Sequence, residues 1–189
     1  MKETTSVPRN GKLAAMCLTA MMAAVICVLA PLSIPIGPVP ITLGTLAVYL
    51  TVYVLGWRLG TLSVFLYLCL GTLGIPVFSG FSGGLGKLAG PTGGYLLGYL
   101  LIALAGGIAV EASSHRPLHA LGLVLGTALC YVCGTAWLCV SAHMELGAAL
   151  GVAVYPFIPF DLGKILLAVG IGPVLRGRLA QAGLLPVKA

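Results

Sequence analysis

With 189 residues, 59% hydrophobic and only 7% charged, the chain carries too few charges to solvate the surface of a soluble domain. It reads as one all-α integral membrane domain over residues 1–189, in contact with membrane lipid. Its net charge of +6 flanks apolar runs instead of forming a basic stripe, which excludes a nucleic-acid-binding reading. A spanning helix takes about 20 residues, so the length holds about six and leaves no room for an ATPase module. ATP-driven work would require partner chains.

Residues 1–12 are polar and contain Lys2, Arg9 and Lys12. The first span is expected over 13–31, too long and too well continued for a cleaved signal peptide. Within it Ala20-x-x-x-Ala24 places two small residues one turn apart, a pattern that allows close helix approach. Residues 31–40 hold four prolines and cannot form a regular helix. Because they are apolar, they are expected to stay at membrane depth, packed against protein. The second and third spans are expected over 41–56 and 61–75, joined by the tight turn Gly56-Trp-Arg-Leu-Gly60. A glycine-rich connection covers 76–92. The fourth span is expected over 93–112, with Gly90, Gly94 and Gly98 as a small-residue ridge, and the fifth over 118–142. An apolar stretch broken by glycine and proline, 147–158, leads to a sixth span over 159–175, ended by Arg176 and Arg178.

Six transmembrane helices put both termini on one side. That side collects Lys2, Arg9, Lys12, Arg58, Arg116, Arg176, Arg178 and Lys188; the other has only Lys87, and Lys164 lies inside a span. The positive-inside rule then makes both termini cytoplasmic, in a multi-pass protein of the cytoplasmic (inner) membrane. Three irregular segments, 31–40, 76–92 and 142–159, all fall on the outer side, where they can roof a cavity that captures a solute.

Asp161 and Lys164 lie three residues apart in the last apolar run, on one face if the run is helical. Charges inside a bilayer are expensive and mark function by default. A pair that only neutralised itself would cost desolvation for little stability. As ligand partners, the carboxylate accepts from N–H groups and the ammonium donates to a carbonyl; a cyclic urea offers both side by side. The loop Gly80-Phe-Ser82-Gly-Gly84 matches a serine nucleophile pattern, but no strand precedes Ser82 and the last span has no histidine base. No catalytic residue is assigned. Gly86-Lys87-Leu88 fails as a phosphate-binding loop. The glycine-rich segment reads instead as a lid whose amides, with Ser79, Ser82 or Lys87, can meet an anionic group. Tyr95, Tyr99, Tyr155, Phe78, Phe81 and Trp137 are candidate lining residues, as are Thr42 and Thr45. The six cysteines read as small apolar residues, and Cys130-x-x-Cys133 lacks the second pair a zinc site needs. No metal or cofactor is expected. An autonomous proton-coupled small-solute carrier, with Asp161 titrating, is the competing transport reading.

Four blocks, Pro35-Ile-Gly-Pro-Val-Pro-Ile-Thr-Leu43, Gly74-Ile-Pro-Val-Phe-Ser79, Gly90-Pro-Thr-Gly-Gly-Tyr-Leu96 and Pro156-Phe-Ile-Pro-x-Asp-x-x-Lys164, resemble the signature blocks of the BioY family. These are the biotin-specific substrate-binding S-components of energy-coupling-factor (ECF) transporters. The resemblance implies a six-helix S-component bundle that captures biotin outside the cell. Import would be coupled to a transmembrane T-component and two ATPase subunits, with Ala20 and Ala24 on the docking face. It maps the biotin head to Asp161 and Lys164, and suggests Thr42, Ser79, Gly80, Lys87 and Tyr95 as further substrate contacts. Gly44 and Phe160 depart from the Gln and Gly common in the family.

Overall fold

Proline and glycine decide where the helices of this chain begin and end. The computed structural model describes residues 10–183 and Leu185. Helix α1 (Asn10–Leu29) has no proline and, beyond Gly11, no glycine. It is about 30 Å long, enough to cross a hydrocarbon core. Pro31 stops it, because proline has no amide hydrogen and crowds the residue before it. The three further prolines keep the following segment extended, and β1 (Ser33–Ile34) pairs antiparallel with β2 (Ile41–Thr42), Ser33 opposite Thr42. The expectation that 31–40 packs wholly against protein needs correcting. Val39 and Ile41 are buried, but Ile34 and Ile36 are exposed, since a two-stranded ribbon has two faces and only one meets the helices.

Helix α2 (Gly44–Thr72) is 29 residues long, yet Gly56 inside it is non-helical, with φ 73° and ψ −167°. That region is open essentially to glycine alone. A straight helix would set residues 42 and 67 about 37 Å apart. Instead the Tyr99 hydroxyl lies 3.1 Å from that of Thr42, while the Tyr99 ring stacks on Tyr67 at 6.5 Å. A Cβ placed at Gly60 would lie 3.5 Å from the Cα of Val52. The chain therefore folds back at Gly56 into two arms, 44–55 and 57–72. The sequence suggests a turn over Gly56–Gly60; one glycine suffices. The Trp57 amide, left without a helical partner there, donates to Glu111 Oε1 at 3.1 Å, and any side chain at position 56 would strike that carboxylate.

Short helices α3 (Leu85–Ala89) and α6 (Leu146–Ala153) lie within stretches that read as connections, and α4 (Gly93–Ala112), α5 (Arg116–Ala142) and α7 (Phe157–Gln181) complete the bundle. Helix α7 begins two residues before the expected 159. Pro156 caps it, and Pro159 falls in the first turn, where an amide hydrogen has no intrahelical acceptor. It also runs beyond 175, so Arg176 and Arg178 lie within its last turns. Long basic side chains snorkel, and hydropathy fades before the helix does. The described residues thus form seven helices, two of them the short α3 and α6, where six spans are expected. Five are long and apolar enough to cross a membrane, and the second and third expected spans both fall within α2. Met16, Val140 and Leu166 are each at least 70% exposed, an apolar exterior suited to lipid.

Helices α4 and α5 approach closely because glycine lines their contact. A Cβ at Gly98 would lie 3.0 Å from Cys130 Cα, and one at Gly94 would strike Trp137. Gly90 belongs to the preceding turn, where its carbonyl accepts from the Trp137 indole N–H at 3.0 Å. Gly98→Leu should therefore overpack this seam at a cost of about 1–3 kcal/mol. The check is thermal unfolding in detergent, where an unchanged midpoint would contradict the packing described.

Candidate functional site

The first two turns of α7 carry Asp161 and Lys164 on one inward face, and both are buried, at 4% and 8% exposed. Three elements supply their partners. Lys164 Nζ donates to Asp161 Oδ1 at 2.8 Å and to Thr45 Oγ1, on the first arm of α2, at 2.9 Å. Thr45 in turn donates to Asp161 Oδ1 at 3.1 Å. From α5, the Tyr131 hydroxyl donates to Asp161 Oδ2 at 2.6 Å. A carboxylate offers about four acceptor sites and an ammonium three hydrogens. This network therefore leaves one acceptor on Asp161, at Oδ2, and one N–H on Lys164 uncommitted.

Both groups face a narrow cavity of about 40 Å³ that Thr42, Thr45, Cys130, Tyr131 and Phe157 also line. A second space of about 30 Å³ continues from it toward Ser79, Tyr67 and Thr92. Val39, Pro40, Thr42, Tyr95 and Tyr99 border both, so the two are sections of one groove under the β1–β2 hairpin. The near end holds the charge pair. At the far end the hydroxyls of Tyr67 and Thr92 are buried without a hydrogen-bond partner among the described residues, a costly arrangement unless something fills it.

Of the residues singled out from sequence, Asp161, Lys164, Thr42, Thr45, Ser79, Tyr95 and Tyr99 border this groove. Gly80 and Lys87 are not among its lining. The Gly80 amide, at φ 70°, donates to Pro31 O at 3.1 Å and ties the 76–92 segment to the hairpin's base; Lys87 sits half-buried on α3. Ser82 donates to Ser79 O at 2.8 Å. Thr42 accepts from the Gly44 amide at 3.1 Å, and Tyr95 pairs with Thr135 at 3.0 Å. Phe81 and Tyr155 are exposed. All six cysteines are free. Ala20 and Ala24 lie exposed on the outer face of α1 with Met16 and Val28. Tyr131 was not legible as a site residue. It stands in an apolar run, and its role arises only when α5 docks on α7.

The family model described as "BioY family" matches residues 1–181. The chain belongs to the BioY family. It is 41% identical to the biotin transporter BioY of Thermotoga maritima over 81% of this chain and 90% of that protein. With the biotin transporter BioY2 of Lactococcus lactis subsp. cremoris it shares 39% identity over 92% of this chain and 96% of the other. A solved crystal structure, the S-component for biotin from an ECF-type ABC transporter, superposes with a TM-score of 0.83 at 31% identity, covering 91% of this chain and 95% of that one. Each of the four BioY-like sequence blocks borders the groove: the first through Val39, Pro40 and Thr42, the second through Ser79, the third through Thr92 and Tyr95, the last through Phe157, Asp161 and Lys164.

Proposed function

We propose that this chain is the biotin-capturing S-component of an ECF transporter, a multi-pass membrane subunit and not an enzyme. The observation that carries the reading is the uncommitted acceptor of Asp161 and the uncommitted N–H of Lys164 on two side chains that line one cavity. A ureido ring presents an N–H next to a C=O and completes both. Biotin's carboxylate then points along the groove to Tyr67, Thr92 and Ser79. Lys87 and the Gly80 region remain proposed as outer contacts that approach only when the lid segments close. In transport, a T-component and two ATPase subunits supply the energy. Ala20 and Ala24 form part of the face that meets the T-component, in keeping with their exposure on α1.

For orientation we propose one transmembrane domain with six crossings and both termini cytoplasmic, each arm of α2 counting as one. Arg58, Arg116, Arg176 and Arg178 then share the cytoplasmic side with Lys12, and Lys87 lies outside. Lys2, Arg9 and Lys188 of the same charge pattern lie outside the described residues. The groove opens outward under the hairpin. Its sections are far smaller than the roughly 300–1,000 Å³ typical of ligand sites, so biotin entry requires Val39 and Pro40 to move aside.

Detergent-purified protein should bind biotin in preference to other water-soluble vitamins, and biotin should slow amide hydrogen exchange over residues 32–43. Equal binding of an unrelated vitamin would defeat the substrate assignment; unchanged exchange in that segment would defeat the lid.

A further inference from the structure

A second cavity, about 400 Å³, lies at the other end of the bundle, lined by Tyr53 on α2, Glu111 and Ser113 at the end of α4, His119 on α5 and Arg176 on α7. Arg176 is four turns along α7 from Asp161, about 22 Å. The cavity thus has no part in the groove described above. In the proposed orientation it faces the cytoplasm, though its chemistry does not depend on that orientation or on biotin.

Two of its side chains are more than nine-tenths buried, and each carries an atom without a hydrogen-bond partner among the described residues: the Tyr53 hydroxyl and His119 Nδ1. Their rings meet edge to face at 5.5 Å. Gly172 lets α7 press directly on the Tyr53 ring, so the pair is held rigidly. His119 Nε2 lies 2.9 Å from Ser113 O. A carbonyl only accepts, so Nε2 carries a hydrogen, and in the neutral ring that tautomer makes Nδ1 an acceptor. The cavity thus presents an unpaired hydroxyl free to donate, a ring nitrogen that accepts in the neutral tautomer, and the guanidinium of Arg176. Arg116 lies within electrostatic reach of Tyr53. The two arginines outweigh Glu111, whose carboxylate already accepts from the Trp57 amide.

A phosphate group that retains one proton satisfies all three. Its P–OH donates to Nδ1, one oxygen accepts from Tyr53, and the anionic oxygens pair with Arg176. We propose that this cavity is a binding site for such a phosphate, free in solution or as the monoester headgroup of a lipid.

The test is thermal unfolding of the full chain at pH 6.5, in neutral detergent with inorganic phosphate or sulfate, and in nanodiscs of phosphatidylcholine with or without phosphatidic acid. Inorganic phosphate, phosphatidic acid or both should raise the midpoint; the pattern assigns the source as solute or lipid. Tyr53→Phe and Arg176→Gln should each weaken phosphate binding about tenfold or more while biotin affinity, measured in parallel, stays at the wild-type value. Tyr53→Phe also removes an orphaned hydroxyl and should not lower the midpoint without phosphate. Arg176→Gln, at a half-buried position, serves if Tyr53→Phe folds poorly. Sulfate has no proton to offer Nδ1 at this pH and should bind at least tenfold more weakly. Stabilisation by neither phosphate source, equal stabilisation by sulfate, or full phosphate binding in both variants would each overturn the proposal, leaving a cavity that holds water alone.

Discussion

Asp161→Asn and Lys164→Ala should each weaken biotin binding by about 2–5 kcal/mol, roughly thirtyfold to several thousandfold. Either change removes half of the donor–acceptor pair offered to the ureido ring. Each also strands the other charge in a buried site, where Thr45 and Tyr131 cannot neutralise it. The single variants should therefore be less stable as well, and stability loss alone could mimic loss of binding. The double variant Asp161→Asn/Lys164→Met separates the two effects. Replacing a buried ion pair by neutral groups of similar volume is often neutral or stabilising, so this protein should unfold at or above the wild-type temperature without biotin and still fail to bind it. Isothermal titration and thermal unfolding on the same preparations decide the matter. Retention of biotin affinity within about threefold in both single variants would remove the pair from the site.

At the far end of the groove, Tyr67→Phe and Thr92→Val should weaken biotin binding about tenfold each. Both hydroxyls are buried without partners among the described residues, and an orphaned donor costs about 1–3 kcal/mol. A carboxylate arriving between them takes both hydrogens and relieves that cost, so the gain on binding is large. Removing a hydroxyl removes both the cost and the gain. Each variant should accordingly be at least as stable as wild type when empty, yet bind biotin less well. The discriminating ligand is a biotin analogue whose carboxylate is reduced to an alcohol. Wild type should bind it less tightly than biotin, and the two variants should bind both compounds with nearly equal affinity. Undiminished preference for the carboxylate in both variants would place the carboxylate elsewhere, with Lys87 the next candidate.

Charge in an apolar run is conspicuous, which is why Asp161 and Lys164 could be picked out from sequence alone. Runs of proline and glycine likewise mark where helices stop, so the break at 31–40 and the starts of α4 and α7 fall close to expectation, whereas the strand pairing inside that break does not show in the sequence. What escaped is what depends on distant partners. Tyr131 meets Asp161 across 30 residues of chain, and nothing local distinguishes it from other hydroxyls in apolar helices; Thr45 stood out as a candidate lining residue, but not its bond to Asp161 across 116 residues. The short helices α3 and α6 are too brief and too rich in glycine for a periodic signal. The reversal was legible as a turn over Gly56–Gly60, but not that one glycine at positive φ and a carboxylate from α4 complete it. The cavity around Tyr53 and His119 escaped as well, since an isolated histidine or tyrosine in a membrane helix reads as packing.

The four prolines of the β1–β2 hairpin matter for more than ending a helix. Proline restricts the chain before any ligand arrives, the two paired rungs restrict it further, and the Gly80 amide anchors its base at Pro31. As the lid proposed above, the hairpin should move as a stiff flap. Little conformational entropy remains to be lost when it shuts, so more of the contact energy with the ligand appears as affinity. Reopening has to be driven by breaking those contacts together, which favours a long residence time: the vitamin stays bound while a scarce energising partner is found.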